Sequence, residues 1–309
     1  MAIPIVHHPE YVAPLPAGHR FPMAKFGLLY DYLVETGIAG PENVFPPELP
    51  RRDTLTGVHT PAYIDAFASG SFSFHSARRI GLPWSPQLVR RTTLAVGGTL
   101  LTARLALKHG LACNTAGGTH HAFPDAGAGF CIYNDLAVTA RQLTGEGTVS
   151  KVLILDLDVH QGDGTAYVFG DDPAVVTVSM HCGDNFPFRK QHSDVDIPVA
   201  AGTGDEEYLD VLRQRLPGIL DNVCPELVIY DAGVDPHRED RLGKLALSDS
   251  GLAMRDRLVV EQVLSRTLPL AVVIGGGYDT DVHRLARRHA IVHREAAAYA
   301  RVGGMAPQT

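Results

Sequence analysis

Five short apolar runs recur along the chain, and each stops abruptly at polar or glycine-rich residues. Leu111-Ala-Cys-Asn-Thr-Ala116 leads into Gly117-Gly-Thr-His-His121, and Val152-Leu-Ile-Leu155 into Asp156-Leu-Asp-Val-His160. Ala174-Val-Val-Thr-Val178 leads into Ser179-Met-His181, Leu227-Val-Ile-Tyr230 into Asp231-Ala-Gly-Val-Asp235, and Leu270-Ala-Val-Val-Ile274 into Gly275-Gly-Gly-Tyr278. Runs this short, rich in β-branched residues, predict strands buried on both faces. Between them, residues Val89 to His109, Asn134 to Leu143, Glu206 to Leu220 and Ser250 to Leu264 carry helical patterns. Strands alternating with helices predict an α/β fold of three layers, α/β/α, around a central, mostly parallel sheet. No linker or repeat divides the chain, so residues 1–309 are expected to form a single catalytic domain. The proline-rich Ala39 to Arg52 and the stretch Gly70 to Pro86 read as irregular surface segments.

Ligands of such sheets sit beyond the carboxyl ends of the strands. Histidine, aspartate, glycine and tyrosine gather at those ends here, so separate segments deliver chemistry to one rim. If strand geometry persists past Asp156, then Asp156, Asp158 and His160 share a side. With Asp235 from another strand, an imidazole and two carboxylates suit a catalytic zinc, and other divalent metals as well. The competing reading is that Asp156 and Asp158 cap turns or pair with arginines, but His160-Gln-Gly-Asp-Gly164 holds more ligand-type residues than a turn requires. His120 and His121 follow a glycine pair that lets backbone pass close to a ligand. One can serve as general base and its neighbour as an electrostatic partner, with Asp156 and Asp163 as candidates to hold their ring N–H groups. Tyr278 can donate to an oxyanion. No phosphate-cradling G-x-x-x-x-G-K-[ST] occurs.

Composition narrows the classes. A hydrophobic share of 45% supports a sizeable core, and a net charge of −7 argues against a nucleic-acid partner. A mildly acidic rim would attract a cationic substrate. The four cysteines are far apart and form neither a disulfide framework nor a zinc knuckle. With no signal-peptide pattern and no apolar run long enough to span a bilayer, a cytoplasmic protein without membrane insertion is expected.

Taken together, Gly117-Gly-Thr-His-His121, Gly129-Phe-Cys-Ile-Tyr-Asn-Asp135, Asp156 to Gly164, Ala232-Gly-Val-Asp235 and Gly275-Gly-Gly-Tyr278 resemble the histone deacetylase superfamily, which shares the arginase-like fold. His19-Arg-Phe-Pro-Met-Ala-Lys25, Gly81-Leu-Pro-Trp84 and Asp240-Arg-Leu-Gly243 are similar to the class IV branch and its bacterial relatives. The resemblance implies a zinc-dependent amidohydrolase that removes acetyl or longer acyl groups from lysine in proteins or peptides, or alternatively from polyamines and other small amines. It implies Asp158, His160 and Asp235 as zinc ligands, His121 as general base and acid, and His120 as its electrostatic neighbour. It also implies that Tyr278 polarises the carbonyl and that Asp156 and Asp163 stand behind the histidines. By the same resemblance Gly129 and Phe130 are expected to wall the substrate tunnel, with Cys131 beside it. A potassium site is implied at Asp156, Ser179 and Met180 with the backbone of Asp158 and His160. Ser69 to Trp84 lacks the acidic substrate-binding loop of class I, and Asn185-Phe-Pro-Phe188 shows no clear second tunnel aromatic.

Overall fold

The structure, a computed structural model, describes residues 2–303. Its strands are β1 (Ile5–Val6), β2 (Val44–Phe45), β3 (Leu111–Asn114), β4 (Val152–Asp156), β5 (Val175–Cys182), β6 (Val195–Val199), β7 (Leu227–Asp231) and β8 (Leu270–Val273). The first helices are α1 (Lys25–Glu35), α2 (Arg52–Thr56), α3 (Pro61–Ser69), α4 (Phe74–Ile80) and α5 (Pro86–His109). They are followed by α6 (Asp135–Gly145), α7 (Asp163–Phe169), α8 (Asp205–Val223), α9 (Asp249–Leu264) and α10 (Val282–Gly303).

The strands form one sheet in the order β2-β1-β3-β8-β7-β4-β5-β6. Every pairing between them is parallel. Alternation along each strand sends side chains to two cores. In β4, Leu153 and Leu155 join the cluster that includes Leu216 of α8, Val259 of α9 and Leu33 of α1. Val152 and Ile154 join the opposite cluster with Ala103 of α5, Leu136 of α6 and Phe169 of α7. Helices therefore cover both faces, which is why the strands read as unbroken apolar runs.

Two segments expected to be irregular contain regular structure. Val44–Phe45 adds a strand parallel to β1 at the sheet's edge. Phe74–Ile80 is helical, closed by Ser73, whose hydroxyl accepts from Ser76 N, and by Gly81 at φ +76°. Only Ile80 of α4 is buried, so no hydrophobic period announces the helix and its caps carry the signal.

Candidate metal centre and cavity

The carboxyl ends of β3, β4, β5, β7 and β8 open onto one cavity of about 830 Å³. At its floor, one nitrogen or oxygen from each of Asp158, His160 and Asp235 lies within 4.8 Å of the other two. His160 Nδ1 is 3.0 Å from Asp158 Oδ1 and 3.2 Å from Asp235 Oδ2. Backbone amides orient the carboxylates: Gly276 N donates to Asp158 Oδ2 at 2.7 Å, and Val159 N to Asp235 Oδ1 at 2.9 Å. Asp235 Oδ2 is fully buried and has no hydrogen-bond partner among the described residues. An orphaned buried carboxylate oxygen beside a second carboxylate and an imidazole fits a divalent cation of zinc type. The electrostatics agree. Burial and the charge of Asp158 push Asp235 up to about 7. Burial opposes ionisation of Asp158, but His120 and His160 hold it well below the usual range. Burial also opposes charging of His160, yet Asp158 and Asp235 push it up to about 10.

The chain leaves strand geometry directly after Asp156, so the shared face expected for Asp156, Asp158 and His160 does not form. Asp156 turns instead to His120, accepting from its Nδ1 at 2.8 Å. His120, Asp156 and Asp231 make a separate buried cluster, in which Asp231 lies 3.9 Å from His120 Nδ1. His121 Nδ1 meets Asp163 Oδ1 at 2.6 Å. Tyr278 lines the same cavity. Its backbone N–H donates to Asp240 Oδ2 at 2.6 Å, while Asp240 Oδ1 accepts from Leu242 N and Gly243 N. Burial, then the carboxylates of Asp235 and Asp158, push the Tyr278 phenol well above its ordinary value. The hydroxyl therefore keeps its proton.

Gly129 passes so close to His121 that a Cβ there would meet the imidazole at 2.7 Å. Phe130, at φ 67°, faces Tyr278 with ring centroids 5.7 Å apart. Cys131 lies behind them, and burial pushes its thiol up to about 12, which removes it as a nucleophile. Asp156 and Ser179 are cross-strand partners between β4 and β5, with Met180 buried next to them. Ser179 Oγ lies 3.0 Å from His181 Nδ1.

Several residues in or beneath the cavity lie outside the predicted set. Phe186 lines the cavity and packs its ring 4.9 Å from that of His121, whereas Phe188, which also lines it, is 93% exposed. Lys25 is buried under the floor, where its Nζ donates to Gly275 O at 3.2 Å, and burial pulls it down to about 8. Asp231 is fully buried with neither oxygen hydrogen-bonded among the described residues. Burial, then the charge of Asp156, push it well above the carboxylate range. Asp231 ends a predicted strand and was legible as a polar terminus, but nothing local tells which face it takes. Lys25 lies far from the other site residues in sequence and carried no signal of its position.

A family profile described as "Histone deacetylase domain" matches residues 19–293. An uncharacterized protein of Picosynechococcus sp. is 55% identical, over 96% of this chain and 99% of its own length. Histone deacetylase 2 of Arabidopsis thaliana is 32% identical, over 84% of this chain and 70% of its own. In structure, the chain is similar to a histone deacetylase homologue from Aquifex aeolicus, with TM-score 0.83, 25% identity, and coverage of 96% of this chain and 84% of that one. The similar chain of a homologue complexed with SAHA has 26% identity and TM-score 0.83.

Proposed function

The chain belongs to the histone deacetylase family, and from that premise we propose that it is a zinc-dependent hydrolase removing acetyl or longer acyl groups from the ε-amine of lysine in proteins or peptides. The observation that carries this reading is the buried cluster of Asp158, His160 and Asp235, the first two of which line one cavity with His121 and Tyr278. Zinc bound by those three side chains would supply Lewis-acid polarisation of the acyl carbonyl and a water of lowered pKa.

The residues of the chain divide the remaining work. Burial, then the neighbouring charge of His120, pull His121 down to about 4, so its imidazole is neutral near pH 7. With Nδ1–H committed to Asp163, Nε2 is left to accept a proton from the attacking water and return it to the leaving amine. Burial disfavours the charged form of His120, but Asp156 and Asp158 hold its pKa well above the ordinary value. It thus keeps a fixed positive charge beside the reacting carbonyl. The Tyr278 hydroxyl donates to the carbonyl oxygen as that oxygen gains charge. Gly129, Phe130 and Phe186 form the narrow apolar passage that grips the methylene stem of the substrate. A potassium ion held by Asp156, Ser179 and Met180, with the backbone of Asp158 and His160, belongs to the same proposal. So do a class IV-like position in the family and a cytoplasmic location, the latter supported by four free thiols. No helix among the described residues is long and apolar enough to cross a membrane.

The test uses zinc-loaded protein on one lysine peptide carrying acetyl through myristoyl groups. Turnover of at least one member is expected, with about one zinc per chain and loss of activity to a chelator. Tyr278→Phe should lower kcat on the order of 100- to 1,000-fold. Failure on the whole series, or undiminished turnover by the Tyr278 variant, overturns the reading.

A further inference from the structure

We infer that the mouth of the cavity selects acylated amines carrying carboxylates beside the scissile amide, and rejects polycations. The inference rests on the deacylase reading above and specifies its substrate. The chain carries a net charge of −7, a total that does not say where the charges sit. Four exposed cations, Arg20, Arg79, Arg189 and Lys244, line the cavity, and among the described residues its only exposed acid is Asp184. The other acids lining it, Asp158 and Asp163, are buried deeper. None of the four cations has a carboxylate within 4.0 Å among the described residues, so their charge is not spent within the protein.

The cations come from four different segments of the chain, each exposed where it lines the cavity. Arg20 lies over the ring of Phe130 at 4.9 Å and Arg79 over that of Phe123 at 5.2 Å. A guanidinium drawn to an aromatic ring in this way still has N–H groups to offer a carboxylate. Backbone contacts keep Arg79 close to the passage: Gly129 N donates to Arg79 O at 3.2 Å, and Phe130 N to Ile80 O at 2.8 Å. On another segment, Lys244 donates to the backbone oxygen of Asp184 at 2.7 Å and receives no side-chain counter-charge. Once an acyl-lysine stem occupies the passage, groups flanking its α-carbon lie at this rim. Negative flanks gain attraction and lysine- or arginine-rich flanks meet like charge. The shared chemistry is a carboxylate next to the acylated amine, supplied either by acidic residues of a peptide or by the free carboxylate of a single acyl-amino acid.

The experiment compares kcat/KM at low ionic strength for one acyl-lysine in peptides flanked by aspartate, glutamine or lysine. It adds the free acyl-lysine amino acid and an acetylated polyamine. Aspartate flanks are expected to exceed glutamine by about tenfold, with lysine flanks and the polyamine below glutamine. The gap should shrink strongly in 1 M salt, where the Debye length is about 3 Å. The double variant Arg20→Glu with Arg79→Glu should invert the order, a ratio that a general loss of activity does not move. A free acyl-lysine turned over better than the peptides would identify the amino-acid carboxylate as the source. Equal turnover across the peptides, or an unchanged order in the double variant, overturns this inference while leaving the deacylase reading intact. Absence of turnover on every substrate overturns both.

Discussion

His120 and His121 are chain neighbours with ring centroids 4.1 Å apart, yet burial acts on them with opposite results. His120 faces Asp156 at 2.8 Å and has Asp158 and Asp231 close by, and this negative surround outweighs the cost of burying a charge. His121 has one carboxylate, Asp163, and must also sit beside the charge of His120. Two identical side chains thus acquire a charged and a neutral state from their partners alone. Asp163 fixes which nitrogen of His121 carries the proton, so Asp163→Asn should lower kcat by about 10- to 100-fold without changing the far-UV circular dichroism. Steady-state kinetics on the preferred acyl-lysine peptide would check this, and an unaltered kcat would show that Asp163 does not orient the base.

At the scale of elements, α9 reaches across the sheet to the segments that carry the metal-type ligands. Arg255 is fully buried and donates through Nη1 to Gly233 O at 2.6 Å and Leu157 O at 3.3 Å. Those carbonyls precede Asp235 and Asp158 in the two segments that must converge. Its Nε donates to Asp256 Oδ1 at 2.9 Å, which also accepts from the Tyr230 hydroxyl at 2.6 Å. Removing one partner of a buried ion pair strands the other, so Arg255→Met should cost about 3–5 kcal/mol in urea unfolding. Adding Asp256→Leu should recover much of that stability. It should not recover zinc retention on dialysis, because the ties to Leu157 and Gly233 stay lost. Full recovery of both would show that Arg255 serves stability alone.

Across the whole molecule, buried histidines link stability to pH. His59 is buried under the loop that carries Phe123, with Nδ1 3.1 Å from Phe123 O and Nε2 accepting from Asn134 N at 2.9 Å. Both nitrogens are used by the neutral ring. Burial pulls its pKa down from 6.5 to about 4. The unfolded chain therefore binds a proton between those values that the folded chain refuses. The stabilisation is present above the unfolded pKa and is lost as pH falls from 6.5 towards 4; for this residue it amounts to about 2 kcal/mol by pH 5. Comparing urea midpoints at pH 7 and pH 5 for the protein and for His59→Asn isolates this contribution, and the variant should lose less on acidification. Equal losses would mean that His59 is not the group responsible.

Local pattern was enough for the strands that bear the site. β4, β7 and β8 are unbroken apolar runs because helices cover both faces of a parallel sheet, and their ends show as a switch to aspartate, histidine and glycine. Asp156 and Asp163 were candidates to hold the two histidines, and the family resemblance implied Asp158, His160 and Asp235 as one ligand set; which carboxylate meets which imidazole came from the structure. Tertiary structure alone decided the rest. Asp156 parts from Asp158 because the strand stops between them. Phe186, and not Phe188, turns to the imidazoles, although the two differ in neither type nor local pattern. Lys25 reaches the cavity floor through contacts to Gly275, 250 positions away. The cationic mouth stands against an acidic total because net charge is a sum over the chain, whereas a field depends on where each charge is placed, and only folding brings Arg20, Arg79, Arg189 and Lys244 to one opening.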